Sequence, residues 1–311
     1  MAQHASLPGR DIHRIVTMAL RCETVDGIAP FNEETTLALS RGPSPERMHF
    51  VARQDDKVIG YAGAAMVGEG AEAELAVDPD HRGHGVGSAL LAEILGWLEA
   101  HITNLRVWAH GDRPAAGGFA AAHGFTRDRV LFQFSRDLEG FAWPSAWPEG
   151  IGRNWPVGDA RAVEIASGVR LRPFRVGRDE AEWLRVNAAA FASHPEQGRW
   201  TAADLAAREE ETWFDPDGLI VAEDEAGLLG FHWTKVEDGV GEVYVLGVDP
   251  RAQGTGLGRT LTLAGLAHLA AHGIRQVDLY ADESNAKAVE LYQSQGFAVV
   301  RTDVQWDKRL R

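Results

Sequence analysis

Val248-Asp-Pro-Arg-Ala-Gln-Gly-Thr-Gly-Leu-Gly-Arg259 places three alternating glycines between two apolar runs. Residues 243–248 before it read as a strand, and Leu257–Ala271 after it reads as a helix. Glycine lets a backbone approach a ligand closely. The helix start offers unpaired N–H groups and a partial positive charge. Together these make a site for phosphate. Arg251, Arg259 and Lys287 are candidates to add positive charge there. Nearly the same sentence stands earlier, as Val77-Asp-Pro-Asp-His-Arg-Gly-His-Gly-Val-Gly-Ser88. Asp78-Pro79 repeats as Asp249-Pro250, 171 residues on. Gly83, Gly85 and Gly87 repeat as Gly254, Gly256 and Gly258.

The match extends outward. Val51-Ala52 and Ile59-Gly60-Tyr61 flank polar Gln54-Asp55-Asp56-Lys57 as a hairpin would. Val221-Ala222 and Leu229-Gly230-Phe231 repeat them at a spacing of 170. Leu105-Arg-Val-Trp-Ala109 alternates like a strand and finds Leu279-Tyr-Ala281 at 172. Gly124-Phe125 and Gly296-Phe297 close both copies, again at 172. Four elements in one order imply tandem copies of a mixed domain, each of about 140 residues. The expected division is 1–138, a Trp/Pro-rich connector 139–167, and 168–311. The connector carries Phe141-Ala-Trp-Pro-Ser-Ala-Trp-Pro and Trp155-Pro156, where the prolines oppose helix. Val169-Arg-Leu-Arg-Pro-Phe174 would be the second copy's first strand.

Composition bounds the partners. The 311 residues carry a net charge of −14. Nucleic-acid binding is not expected, because phosphate contacts need a basic face. Cys22 is the only cysteine, so neither an intramolecular disulfide nor a cysteine zinc cluster is available, and no metal is expected. Asp11, His13, Arg14 and Arg21 interrupt the N-terminal apolar residues, so a signal peptide is not expected. No apolar run reaches the eighteen or so residues of a membrane span. A cytoplasmic monomer is the expectation. The P-loop pattern is absent. The dinucleotide fingerprint fails at Arg259 and Ser88, where a third glycine would stand.

Gln253-x-x-Gly256-x-Gly258 and Arg82-x-x-Gly85-x-Gly87 resemble the Arg/Gln-x-x-Gly-x-Gly/Ala signature of the GNAT acetyltransferase superfamily. Asn285-x-x-Ala288-x-x-x-Tyr292-x-x-x-Gly296-Phe297 is similar to its second signature. The resemblance implies an α+β fold: two tandem GNAT domains, each a mixed, mostly antiparallel sheet flanked by helices. It implies acetyl-CoA as cosubstrate, with the glycine loop around its pyrophosphate. The implied contacts in the first copy are Leu75, Ala76, Val77, Gly83, His84, Gly85, Val86, Gly87 and Ser88. In the second they are Leu246, Gly247, Val248, Gln253, Gly254, Thr255, Gly256, Leu257, Gly258 and Arg259, with Asn285, Ala286, Lys287, Ala288, Val289 and Glu290.

Further stretches resemble a two-domain branch of that superfamily: Asp26-Gly-Ile-Ala-Pro30, Trp108-Ala-His110, His194-Pro-Glu-Gln-Gly198, Trp213-Phe-Asp-Pro-Asp-Gly218, Phe231-His-Trp-Thr-Lys235 and Gly241-Glu-Val-Tyr-Val-Leu-Gly-Val-Asp-Pro250. That resemblance implies acetylation of the cysteinyl amine of a cysteine–glucosamine–inositol conjugate, giving the small thiol mycothiol. Glu33, Glu196, Lys235, Glu242 and Tyr280 are the implied acceptor residues. Taken without the resemblance, Glu196 is a loop residue ahead of a capping box at Thr201-Ala-Ala-Asp204, Lys235 a solvated strand end, and Tyr280 strand packing. His194 reads as a loop residue.

Amine acetylation needs a base, an oxyanion donor and an acid for the leaving thiolate. In the second copy the resemblance gives these parts to Glu242, to a backbone N–H near 246–248, and to Tyr292. In the first copy Glu242 falls on Ala71 at a spacing of 171. Tyr292 falls on Ala120 and Asn285 on Arg113 at 172. The first copy is therefore expected to bind acetyl-CoA without catalysis. Two alternatives remain open: a GNAT enzyme for another small amine, such as an aminoglycoside or polyamine, and a non-catalytic acetyl-CoA sensor. Retention of Glu242 with Tyr292 opposes the sensor.

Overall fold

Alternating burial along the strands gives both copies a two-faced sheet. The computed structural model describes residues 1–141, 163–166, 168–192 and 197–310. Most of the 139–167 connector, with its three tryptophans, lies outside the described residues, as do His194 and Glu196. Two compact units emerge. Unit 1 holds residues 1–132, 282–284 and 301–311, and unit 2 holds 133–281 and 285–300. The expected domains run in series. The observed units instead exchange short segments near the ends of the two copies.

Unit 1 contains β1 (Ala2–His4), α1 (Gly9–Asp26), α2 (Glu33–Ala38), β2 (Arg47–Gln54), β3 (Lys57–Val67), β4 (Gly70–Val77), α3 (Val86–Trp97), β5 (Asn104–Ala109), α4 (Pro114–Ala122) and the start of β6 (Thr126–Asp137). Its strand order is β1-β2-β3-β4-β5, completed by the last part of the C-terminal strand β13 (Ala298–Arg309). The expected hairpin turn is there, with Asp55 at φ 53°. Successive side chains point to opposite faces. Phe50, Ala52 and Ile59 join Leu90 and Ile94 under α3. Val51, Val58 and Tyr61 join Ile15 and Met18 under α1.

Unit 2 contains β7 (Val163–Ala166), β8 (Val169–Pro173), α5 (Glu180–Ala190), α6 (Ala202–Glu209), β9 (Leu219–Asp224), β10 (Gly227–Glu237), β11 (Val240–Val248), α7 (Leu257–Ala271), β12 (Gln276–Asp282) and α8 (Ala286–Ser294). Its order is β6-β12-β11-β10-β9-β8-β7. One face packs Ile220, Ala222 and Leu229 against Leu257 and Leu261 of α7. The other packs Val221, Phe231 and Trp233 against Trp183 of α5 and Leu205 of α6. The pairs β1–β2, β2–β3, β3–β4, β5–β13, β7–β8, β8–β9, β9–β10 and β10–β11 are antiparallel, and β4–β5 and β11–β12 are parallel. Among the described residues no helix is long and apolar enough to cross a membrane.

Candidate active site

Both glycine loops have one construction. Asp249 accepts from Arg251 N at 3.0 Å and Asp78 from Asp80 N at 3.1 Å, starting a 3-10 turn. Gln253 Nε2 donates to Val248 O at 3.3 Å, and Arg82 Nε to Val77 O at 3.1 Å. The first signature residue therefore ties the loop to the end of its strand. Gly254 and Gly256 have φ of 79° and 87°, a region closed to most side chains. A Cβ at either meets nothing within 4 Å, so the front of the loop is open. Gly258 differs: a Cβ there would meet Leu291 of α8 at 3.6 Å. Thr255 Oγ1 bonds Ala252 O at 2.7 Å, and Leu257 is buried. Arg259 lies exposed in the first turn of α7. Arg251 is committed elsewhere. It donates to Leu228 O at 2.9 Å and sits 3.6 Å from Asp249.

The strand feeding this loop opens on one side. β11 pairs with β12 only at Gly241↔Val277 and Glu242↔Asp278. Beyond Glu242 its pairing is to β10 alone among the described residues, so the edge at Leu246, Gly247 and Val248 is available to a ligand. β4 likewise leaves β5 after Ala73↔Val107, ahead of Leu75, Ala76 and Val77. A β-bulge separates the two copies. Trp233 faces Val245 and Thr234 faces Val243, leaving Tyr244 as the extra residue. Tyr244 and Val245, adjacent in sequence, therefore both join the cluster of α5 and α6. β3–β4 runs without a shift from Gly60↔Val77 to Val67↔Gly70.

This bulge corrects the expected alignment. Upstream of Tyr244 the copies are 170 apart, downstream 171. Glu242 pairs with Lys235 on β10 and Asp278 on β12. The residue with the same pairings in unit 1 is Glu72, between Ala65 and Arg106, rather than Ala71. The carboxylate persists in unit 1, where Arg106 lies 3.9 Å from it and both side chains are exposed.

Glu242 stands in a different setting. Burial raises its pKa. Lys235 opposes the shift, and Glu237 and Asp278 add to it. Asp278 is held by Gln133 Nε2 at 3.1 Å, Ser135 Oγ at 2.7 Å and Gln276 Nε2 at 3.0 Å. Lys235 Nζ is 2.6 Å from Glu237 and lies over the Trp213 and Tyr244 rings at 5.1 and 5.7 Å. Arg208 donates to Tyr244 OH at 2.9 Å and stacks on Trp200 at 3.7 Å. Alternation from Asp278 puts Tyr280 on the face of Glu242 and Lys235, 47% exposed. Sequence reading gave no role to Asp278, Trp213, Tyr244 or Arg208: Asp278 arrives by cross-strand register, Arg208 and Trp213 by the packing of α6 and the loop after it, and Trp213 and Tyr244 stood only inside stretches quoted for the resemblance. Glu33 opens α2 in unit 1, after the N-cap Asn32.

Tyr292 on α8 lies between Phe134 and Phe297, with ring centroids 6.1 and 5.8 Å away. It is 7% exposed, and burial pushes its phenol pKa up. Asn285 caps α8, accepting from Ala288 N at 3.2 Å. Ala286, Lys287, Val289 and Glu290 follow within the first turns, with Lys287 exposed.

Unit 1 holds a cleft of about 490 Å³. Residues 75–77, 83 and 85–88 line it, while exposed His84 turns its Nδ1 to Arg82 O at 2.8 Å. Arg82 forms a two-pronged pair with Asp26 at 2.9 and 2.7 Å. His110, also in the lining, bonds Glu74 at 2.7 Å and Asp303 at 3.1 Å.

A model of the acetyltransferase (GNAT) family matches residues 13–125 and again 183–297. A mycothiol acetyltransferase of Thermobispora bispora is 45% identical over 307 residues, covering 96% of each chain. Those of Thermomonospora curvata and Geodermatophilus obscurus are each 46% identical, over 95% and 96% of this chain and 93% and 96% of theirs. The chain belongs to the mycothiol acetyltransferase family. Solved structures agree on the GNAT fold. A GCN5-related N-acetyltransferase from Sphaerobacter thermophilus superposes with a TM-score of 0.70 at 22% identity, covering 98% of both chains. A tandem GNAT protein from the clavulanic acid biosynthesis pathway gives 0.66 at 18%, over 99% of this chain and 97% of that one.

Proposed function

We propose that this acetyltransferase moves the acetyl group of acetyl-CoA to the cysteinyl amine of a cysteine–glucosamine–inositol conjugate, giving mycothiol, and that unit 2 performs the chemistry. The observation that carries the second part is Glu242: a carboxylate with a raised pKa where β11 parts from β12, on the strand that enters the glycine loop.

Glu242 accepts the proton that the attacking amine must lose, through a bridging water. A base raised toward the working pH suits that task. Backbone N–H groups at the open edge, near 246–248, donate to the oxyanion that forms on the thioester carbonyl. The Tyr292 hydroxyl has no hydrogen-bond partner among the described residues, which supports its role as donor to the departing thiolate. N–H groups of the glycine loop and the start of α7 hold the pyrophosphate, and Arg259 and Lys287 add charge. Lys235, Glu242 and Tyr280, on one sheet face, serve the polar acceptor; for Glu33 and Glu196 that role rests on the sequence resemblance alone. Unit 1 keeps an open loop and a cleft but has Ala120 for Tyr292 and no bulge, which fits binding without turnover. Buried free Cys22 suits a reducing cytoplasm.

The test is mass spectrometry of amines incubated with protein and acetyl-CoA: the conjugate, free cysteine, glucosaminyl-inositol, an aminoglycoside and a polyamine. One acetyl on the conjugate's amine alone is expected. Acetylation of another amine with the conjugate untouched would leave the enzyme class and remove the substrate.

A further inference from the structure

In unit 2 the space between two aromatic rings is filled by Tyr292, flanked by Phe134 and Phe297. The same flanks recur in unit 1 at a spacing of 172: Trp306 stands for Phe134 and Phe125 for Phe297. Between them is Ala120, which has no ring. The void this leaves is not closed. Leu91, Val107, Ala116, Ala120, Phe125 and Trp306 all line the cleft that also carries the glycine loop of unit 1. These six side chains are aliphatic or aromatic, and the same cleft is lined by Leu75, Ala76 and Val77 of the strand edge.

We infer that unit 1 is a binding site for a CoA thioester whose acyl chain is apolar and longer than acetyl, held without transfer. The inference rests on the reading of unit 1 as a CoA thioester site. Loss of the Tyr292 hydroxyl removes the donor to the leaving thiolate, and loss of its ring makes room for added methylenes. One exchange between the copies thus slows turnover and changes the ligand. None of these six side chains carries a charge, so the space they line favours a butyryl over a succinyl group.

Each methylene moved from water to an apolar site is worth about fourfold in affinity. Butyryl-CoA, with two more methylenes than acetyl-CoA, should bind unit 1 roughly fifteenfold tighter. The experiment is calorimetric titration of the full chain with CoA, acetyl-CoA, butyryl-CoA and succinyl-CoA. Arg259→Glu places a carboxylate at the loop of unit 2 and leaves unit 1 as the remaining site. Ser88→Glu, at the matching position, blocks unit 1. In Arg259→Glu, one site per chain with the order butyryl over acetyl over succinyl is expected. Adding Ala120→Phe, or Ala116→Leu if the first variant folds poorly, should erase the butyryl preference while CoA itself binds within about twofold. Equal affinities for acetyl-CoA and butyryl-CoA, or a preference that survives both fillers, overturn the acyl-chain inference alone. If Arg259→Glu protein binds no CoA compound, the reading of unit 1 falls, and this inference with it.

Discussion

At Glu242, burial raises the pKa first, Lys235 restrains the rise, and Glu237 and Asp278 add to it. The proposed base works deprotonated, so acetyl transfer should fall as pH drops through that raised value. Asp278→Asn removes a like charge and should move the acidic limb of kcat/KM to lower pH. Lys235→Met removes an opposite charge and should move it to higher pH. Glu242→Gln should lower kcat on the order of 10²- to 10⁴-fold. A limb that stays put in both neighbour variants would assign it to another group. Tyr292→Phe keeps the ring between Phe134 and Phe297 and drops only the hydroxyl. A thiol of pKa about 8.5 leaves readily, so a loss of roughly ten- to a hundredfold in kcat is expected, with a melting shift under about 2 °C. Unchanged turnover would remove the tyrosine from the reaction. Glu242 and Tyr292 could be singled out in the sequence because each sits inside a motif. The nearness of Asp278 to Glu242 and of Trp213 to Lys235 could not be read there, because strand register and packing bring them together, which the spacing of residues along the chain does not carry.

The elements show what a one-residue change in spacing means. The hairpins repeat at 170 and the glycine loops at 171, and between them lies the bulge at Tyr244. A strand with one added residue sends every later side chain to the other face unless a bulge absorbs it. The bulge is what keeps Leu246 and Val248 under α7 while Glu242 stays on the α5 face. The spacing carried that signal, yet aligning Glu242 at 171 placed it on Ala71, because nothing in the residue types says where the insertion falls. Helix ends were more legible. Thr201 and Asp204 form the expected capping box, with Asp204 N to Thr201 Oγ1 at 3.2 Å and Thr201 N to Asp204 Oδ2 at 2.8 Å. Thr201→Ala should cost about 1 kcal/mol and lower the melting point of unit 2 by roughly 2–4 °C, read by calorimetry. No shift would mean that packing of Leu205 alone holds α6.

For the whole molecule, the presence of two GNAT copies was legible from the repeat, and the grouping of residues 301–311 with unit 1 was not. Phe134 and Trp306 occupy matching positions in the two copies, so β6 and β13 show the same pattern whichever unit each completes. The consequence concerns unit 1. Residues 301–311 supply its strand next to β5, from Val304↔Ala109 to Arg309↔Asn104. They also supply Asp303, whose carboxylate meets His110 Nδ1 and accepts from Gly111 N at 2.9 Å. Burial alone would lower the His110 pKa, but its hydrogen bonds to Asp303 and Glu74 raise it to about 9. A raised imidazolium stabilises the fold fully below the ordinary histidine value near 6.5, and that contribution fades as pH rises through about 9. It amounts to about 3 kcal/mol. The melting point of unit 1 should therefore fall between pH 7 and 10 in the intact chain. In His110→Gln it should start lower and stay flat over that range. A chain ending at Val300 should lose the cooperative melting of unit 1 at every pH, because it lacks the strand as well as the ion pair. If that shortened chain melted like the intact one, unit 1 would be closing its sheet without the C-terminal strand, and the exchange would carry no stability.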